Sequence, residues 1–245
     1  MRAMLTSVVY SLPAPAPGLD QYNPCSLNEQ NAQVAIAAFR YLAEDRAVPG
    51  RDLVHAGKMN WANGTPAMAA KIVLNEPHLT LHDGTPVLIR RLVAEDAALY
   101  PDFLSDVTAE DLRLRFFAPM REVSQELLDK LIHYDPARAM AFIAIDEQSQ
   151  KMLGVVRLHD DPSGEAAEFA ILVRSRLKGH GVGWLLMKHM IEFSKHKDLK
   201  TVRGQVLSEN TTMLVMCDQL GFHIADDPDD PGVKTVTLPV VASEN

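Results

Sequence analysis

Apolar and polar positions follow no sustained period over residues 1–77 and become regular after that point. Residues 13–18 are rich in proline, which fixes the backbone φ angle and removes amide donors, so we expect an extended linker there. Residues 31–44 carry apolar side chains at helical spacing and predict one helix. Residues 1–77 are therefore predicted to form an N-terminal extension of low structure, without a complete core of its own.

The regular pattern from Thr80 onward predicts one α/β domain over residues 78–241. Apolar and β-branched runs predict strands over residues 87–92, 140–146, 152–159, 165–173, 201–207, 222–225 and 233–239. Apolar spacings of three and four, together with capping residues, predict helices over residues 94–106, from residue 108, and over 124–134, 181–197 and 210–220. Asp83-Gly84-Thr85 has the composition of a hairpin turn. This order predicts a mixed sheet with helices on both faces.

The loop at residues 178–183, between a predicted strand and a predicted helix, carries the clearest chemical signal. Gly179, Gly181 and Gly183 stand at alternate positions, and because they lack Cβ atoms, successive amide N–H groups can converge on one point. That point is a helix start, where unpaired amides and the dipole favour an anion such as a diphosphate. A glycine-rich turn that binds nothing is the alternative. The spacing differs from the G-x-G-x-x-G of dinucleotide folds.

The local charge also favours an anion. No Asp or Glu occurs from Phe169 to Ile191, in a chain whose formal net charge is -8. Four basic residues do occur there: Arg174, Arg176, Lys178 and Lys188. We therefore expect a positive surface around the glycine loop.

Composition excludes several classes of protein. With 47% hydrophobic and 23% charged residues the chain is typical of a globular protein, and no apolar run is long enough to cross a membrane. The first residues lack a convincing secretory signal, so we expect a cytoplasmic protein. No basic stripe with interleaved aromatics occurs, which disfavours nucleic acid, whereas an acidic protein could attract a lysine-bearing partner. Cys25 and Cys217 lie far apart and the histidines form no ligand pattern, so neither a disulfide nor a metal site is expected.

Several short sequence motifs follow one another in a fixed order along the chain. They are Asp83-Gly84-Thr85 before Ile89-Arg90, Arg113-Leu114-Arg115-Phe116-Phe117, Ala167-Glu168-Phe169-Ala170-Ile171, the glycine loop, Gly204 to Asn210 with Met213-Leu214, and Leu220-Gly221-Phe222. In this order they resemble the GNAT superfamily of acetyl-CoA-dependent N-acetyltransferases over residues 79–240. Within that superfamily the chain is most similar to bacterial protein lysine acetyltransferases of the Pat type. The resemblance implies a GNAT fold, with a mostly antiparallel mixed sheet.

The resemblance also implies where acetyl-CoA would bind. Its pyrophosphate would lie on the backbone of the glycine loop, and its pantetheine arm would run beside the strand before that loop. Asn210 would bond the pantetheine or a water, although an N-cap role for the following helix is the alternative and both can hold. The residues implied to bind the co-substrate are Ile171, Leu172, Val173, Lys178, Gly179, His180, Gly181, Val182, Gly183, Asn210 and Met213.

Glu168 is the candidate general base that this resemblance implies. Strand alternation places it on one face with Ala170 and Leu172, among small or apolar side chains rather than charges. An amine at the lysine reference pKa of about 10.4 needs roughly 4 to 5 kcal/mol to become neutral at pH 7, and a carboxylate of raised pKa could take its proton. An exposed rim glutamate is the alternative for Glu168. Glu165 is a second candidate base, although its position near a turn indicates exposure to solvent.

Cys217 departs from the family pattern, because many members of the superfamily have a tyrosine general acid at this position. A thiol could donate a proton to the leaving thiolate. Cys217 could equally be a helix core residue beside Met213 and Met216. Coenzyme A thiolate is a tolerable leaving group, so the reaction can proceed without an acid.

Three functions are compatible with these residues. The first, implied by the resemblance, is transfer of acetyl from acetyl-CoA to the ε-amino group of lysine on a protein, with an acyl-CoA synthetase as the implied substrate. The second keeps the fold and changes the acceptor to a small amine. The third is a non-catalytic acyl-CoA sensor. The resemblance also implies that residues 1–77 are a possible remnant of an acyl-CoA synthetase-like region, without activity of their own.

Overall fold

The computed structural model describes residues 76–240. The predicted linker, the predicted helix at residues 31–44 and Cys25 lie outside the described residues. The strands are β1 His78–Thr80, β2 Pro86–Arg91, β3 Ala139–Asp146, β4 Met152–Asp160, β5 Ala166–Val173, β6 Thr201–Leu207, β7 His223–Asp226 and β8 Val233–Pro239. The α-helices are α1 Tyr100–Ser105, α2 Ala109–Phe116, α3 Gln125–Ile132, α4 Val182–His196 and α5 Thr211–Gln219. Two short 3-10 helices span Ala94–Leu99 and Ser175–Leu177.

The described strands form one sheet in the order β1-β2-β3-β4-β5-β6-β8-β7. All neighbouring strands pair antiparallel except β5 and β6, which are parallel and joined through α4. The predicted mixed sheet, mostly antiparallel, is confirmed.

The pairing between β5 and β6 stops early. Their register covers only Ala166 to Glu168 of β5 against Thr201 to Arg203 of β6. Beyond that point β5 stays paired with β4 as far as Val173, and β6 stays paired with β8. Within the described sheet, the two central strands therefore diverge and leave a cleft between them.

Phe169 and Gly204 explain where the two strands diverge. A Cβ atom on Gly204 would lie 2.7 Å from the Phe169 ring, so only a glycine allows the ring to pack against this backbone. The Phe169 ring also contacts Phe222, with ring centroids 5.4 Å apart. Phe169 thus fills the space beneath the cleft immediately after the last paired residue.

The sheet separates two hydrophobic cores. Side chains of β3 alternate between them: Phe142 belongs to the core covered by α4 and α5, and Ile143 belongs to the core covered by α1, α2 and α3. This alternation explains why β3 is almost continuously apolar, since both of its faces are buried. Helices on both faces of the sheet are confirmed.

The structure differs from the prediction in two local elements. The helix expected over residues 94–106 is a 3-10 helix followed by α1, because Pro101 lies in the first turn of α1 and lacks the amide N–H that a continuous helix would need. Strand β1 was missed, since its three residues are too few to show a period. The hairpin turn after β1 is confirmed, with the Thr85 amide donating to Asp83 Oδ1 at 3.0 Å.

Candidate active site

A cavity of about 700 Å³ occupies the cleft where β5 and β6 diverge. Its walls come from β5, from the loop before α4, from β6 and from the first turns of α5. The predicted site residues that line it are Glu168, Ile171, Leu172, Val173, Lys178, Gly179, Gly181, Gly183, Asn210 and Met213. The structure therefore brings together residues that lie up to 45 positions apart, from Glu168 to Met213.

The β5 wall offers unpaired backbone to a ligand. From Phe169 to Val173 the edge of β5 that faces β6 has no strand partner within the described sheet. Ile171 and Val173 direct their side chains into the core under α4, whereas Leu172 packs into the opposite core. An extended ligand with amide groups, such as pantetheine, can pair with this edge as an additional strand would.

The glycine loop forms an amide-lined pocket at the start of α4. Gly179 and Gly181 have φ angles of 79° and 98°, in the left-handed region that favours glycine. The Leu185 amide donates to the Gly181 carbonyl, so the amides of the residues between them precede the first intrahelical bond. The first turn of α4 contains no acidic side chain. This geometry fits a diphosphate group.

His180 and Val182 do not line the cavity. His180 is exposed, and its ring contacts the Lys178 carbonyl at 3.1 Å. The Val182 side chain is buried in the core. Val182 can therefore reach the co-substrate only through its backbone, and contact of either residue with the co-substrate remains a prediction.

Three of the four basic residues near the loop are paired, which corrects the expectation of a positive surface. Arg174 binds Asp102 and Asp106, Arg176 also binds Asp106 at 2.9 Å, and Lys178 binds the buried Asp111. Asp102 lies in α1, Asp106 directly follows α1 and Asp111 lies in α2, so acids distant in sequence neutralise these three cations. Lys188 of α4 is exposed and has no ion pair among residues 76–240. An anion at this site would be stabilised mainly by backbone amides and the dipole of α4.

Glu168 lies at the fork, as the last residue of β5 paired with β6. Its side chain reaches solvent through the cavity, yet the surrounding protein partly desolvates the carboxyl group, and this raises its pKa above the ordinary 4.5. Arg203, Arg115 and His159 act in the opposite direction. A carboxyl group of raised pKa facing the cavity is suited to accept a proton.

The expectation that Glu168 avoids charged neighbours is wrong. His159 of β4 and Arg203 of β6 are its partners in register on either side. Alternation along β5 describes only that strand's own side chains, whereas the charges come from adjacent strands. The exposed Glu165, the second candidate base, pairs with Lys200 at 2.5 Å, as its predicted exposure implies.

Asn210 combines the two roles that were left open. Its side-chain oxygen accepts a hydrogen bond from the Met213 amide at 3.2 Å, so it caps α5. The same residue lines the cavity beside Met213. The N-cap role is confirmed, and contact with pantetheine remains a prediction.

The geometry favours a core role for Cys217. The side chain is fully buried in the core of α4 and α5 and does not line the cavity. Burial raises the pKa of its thiol to about 12. The thiol therefore lacks access to a leaving thiolate in the cavity.

The sequence analysis did not predict several of the residues that line the cavity. His82, in the turn after β1, lies next to Gly181, since a Cβ on that glycine would be 3.5 Å from the His82 ring. Trp184 and Gln205 also line the cavity. Gln205 could have been recognised as a polar residue two positions beyond Arg203, the last residue of β6 that pairs with β5. No local pattern singles out His82.

No helix among residues 76–240 has both the length and the apolar composition needed to cross a membrane. The same residues contain no group of three or more His, Cys, Asp or Glu side chains placed to hold a metal ion.

Comparison with known proteins identifies this arrangement. Residues 105–222 match the profile of the Acetyltransferase (GNAT) family. Acetyltransferase PA5475 of Pseudomonas aeruginosa is 29% identical over 153 residues, which cover 62% of this chain and 82% of that protein.

Two solved structures illustrate the likeness in fold. The GNAT domain of S. lividans PAT is 23% identical, with a TM-score of 0.62, over 67% of this chain and 96% of that domain. RimL, a ribosomal L7/L12 alpha-N-protein acetyltransferase in complex with coenzyme A, is 13% identical, with a TM-score of 0.56, over 69% of this chain and 99% of that chain. The profile, the sequence relative and the shared fold agree: residues 105–222 are similar in sequence to the GNAT family of acetyltransferases, and the described domain has the GNAT fold.

Proposed function

We propose that this enzyme transfers acetyl from acetyl-CoA to the ε-amino group of a lysine on a protein substrate. The observation that carries the proposal is the position of Glu168, at the fork of β5 and β6 and in the wall of the same cavity as the glycine loop. A thioester donor held by the loop and by the open edge of β5 would place its carbonyl near this carboxylate.

The reaction is a direct transfer within a ternary complex. Glu168 accepts a proton from the lysine ammonium, directly or through water, and the neutral amine attacks the thioester carbonyl. A C–N bond forms, the C–S bond breaks, and coenzyme A leaves as its thiolate, while the second proton lost by the amine passes to that thiolate or to water. Holding both reactants in line supplies much of the rate.

Acidic residues near the cavity support a cationic acceptor. Asp226, the last residue of β7, and Asp229, in the loop before β8, are exposed, and Asp227 between them is half-buried. Asp226 pairs with Lys234. Asp227 accepts a hydrogen bond from Gln205 of the cavity wall at 3.2 Å, which connects this loop to the site. Negative charge beside the cavity would attract a lysine-bearing surface at modest ionic strength.

A comparison of acceptors tests this proposal. The enzyme is incubated with acetyl-CoA and either a purified acyl-CoA synthetase, a native lysate, free polyamines or amino acids, and acetylated lysines are mapped by mass spectrometry. We expect kcat/KM for a protein lysine to exceed that for free amines by at least about tenfold, since a protein surface adds binding energy beyond the amine. Acetylation confined to the small amines would overturn the proposal.

The pH dependence gives a second test. Protonated Glu168 cannot act as a base, and desolvation places its folded pKa above 4.5. The rate should therefore fall as the pH drops through this raised pKa and recover above it. Measurement of kcat/KM from about pH 5 to pH 9 reports the ionisations of the free enzyme and substrate. A rate that is independent of pH on the acid side would contradict a carboxylate base.

A further inference from the structure

Arg115 occupies a position that the transfer of acetyl does not explain. It lies at the C-terminal end of α2 and lines the large cavity together with Glu168. It also lines a smaller cavity of about 30 Å³ beside Arg157, Ala170 and Leu172. Arg115 thus stands between the reaction cavity and a small recess behind β5, large enough for about two water-sized groups.

Among the buried and half-buried arginines of residues 76–240, Arg115 alone forms no ion pair and no side-chain hydrogen bond. Its guanidinium packs on the ring of Phe116, 4.8 Å from the ring centroid. The other buried or half-buried arginines of this part of the chain each hold an acid or a carbonyl oxygen, and they are Arg90, Arg113, Arg157 and Arg174. An unpaired guanidinium in a protected position is costly, and the cost falls when a ligand supplies the missing acceptor.

The groups around Arg115 leave a net positive charge. Arg157 is the second cation, with its guanidinium donating to the Leu131 carbonyl and packing on Tyr134. Glu168 is the nearby acid and Tyr100 the nearby neutral hydroxyl. Burial and the charge of Arg157 lower the pKa of Arg115 to about 10, so it stays protonated at neutral pH. The two cations Arg115 and Arg157 therefore have one nearby carboxylate, that of Glu168.

We infer that Arg115 binds a carboxylate of one of the two reactants, carried either by the acyl group of the donor or by the acceptor. The planar guanidinium can hold a carboxylate through two parallel hydrogen bonds. This inference rests on the proposed function in one respect, namely that the cavity is the place of acyl transfer. Arg115 takes no part in the bond changes, since the proton still passes to Glu168 and coenzyme A still leaves as its thiolate.

Two matched pairs of reactants distinguish the source of the carboxylate. Succinyl-CoA is compared with butyryl-CoA, which has the same chain length without the charge. Nα-acetyl-lysine is compared with Nα-acetyl-lysinamide, which replaces the carboxylate by an amide. We expect the carboxylate member of one pair to be preferred in kcat/KM by about tenfold to a hundredfold, the usual effect of a hydrogen bond to a charged group.

Variants then assign the preference to Arg115. The change Arg115→Met should reduce the preference to about unity, whereas Arg115→Lys should keep part of it, because an ammonium retains charge without the planar fork. Arg138→Met is the matched control, since Arg138 is exposed and lies outside both cavities, and it should leave the ratio unchanged. If Arg115→Met fails to fold, Arg115→Gln replaces it.

The outcomes separate this inference from the proposed function. A preference that depends on Arg115 with small acceptors, but no modification of protein lysines, would overturn the protein substrate and keep the role of Arg115. Equal rates for both members of both pairs in the wild type, or a preference that survives Arg115→Met, would overturn the inference. If no acceptor turns over, calorimetry measures the affinities of both donors and, in the presence of coenzyme A, those of both acceptors. The ratio of affinities within each pair then replaces the ratio of kcat/KM.

Discussion

Replacing Glu168 by Gln should lower kcat for acetyl transfer by about 10²- to 10⁴-fold, the range expected for loss of a positioned general base. Gln has nearly the size of Glu but cannot accept the proton of a lysine ammonium. Glu168 lies at the fork of β5 and β6, whereas the glycine loop lies beyond the end of β5. Affinity for acetyl-CoA should therefore stay close to that of the wild type, as measured by calorimetry beside steady-state kcat.

Glu165→Gln provides the matched control for this result. Glu165 precedes the same strand, is exposed, and pairs with the exposed Lys200. An exposed ion pair contributes little, so this variant should keep kcat within about twofold of the wild type. Wild-type kcat in the Glu168→Gln enzyme would show that another group takes the proton. A large loss of acetyl-CoA affinity would show that the side chain serves donor binding instead.

Elements with long, regular patterns were predictable from sequence. Helix α4 has its apolar side chains on one face, and β3 is apolar almost throughout, so both were placed within about one residue of their observed ends. The break between the 3-10 helix and α1 depends on Pro101, whose effect a general helical period does not show. The divergence of β5 from β6 depends on the packing of Phe169 against Gly204, two residues from different strands. Such tertiary contacts leave no local pattern.

The backbone parts of the site were also predictable, because a glycine loop before a helix is a local feature. Its side-chain electrostatics were not. The aspartates that neutralise Arg174 and Lys178 precede them by 67 to 72 residues, and only the fold brings them together. In the same way, Arg115 belongs to a recognisable string, but its lack of a partner becomes visible only when its three-dimensional neighbours are known.

The change Arg174→Met should lower the free energy of unfolding by about 2 to 4 kcal/mol, because it removes several buried contacts at once. Arg174 is 1% exposed. Its Nε donates to the Met152 carbonyl at 2.6 Å, Nη1 donates to the Asp102 carbonyl at 3.0 Å, and its guanidinium pairs with the carboxylates of Asp102 and Asp106. Arg174 therefore joins β4, α1 and the segment that leads into the glycine loop, and its loss should also weaken coenzyme A binding.

Three measurements test whether the buried contacts of Arg174 are the cause of the expected losses in stability and in coenzyme A binding. Arg176→Met removes an exposed arginine that also pairs with Asp106, and urea unfolding should show a loss of less than about 0.5 kcal/mol. Arg174 lowers the pKa values of Asp102 and Asp106 below 3.8, so the wild type gains stability above that pH and loses it as the pH falls through the folded values. This acid-dependent loss should shrink in Arg174→Met. Equal stability losses in the two variants, or coenzyme A affinity unaffected by Arg174→Met, would show that the buried arginine does not hold the loop in place.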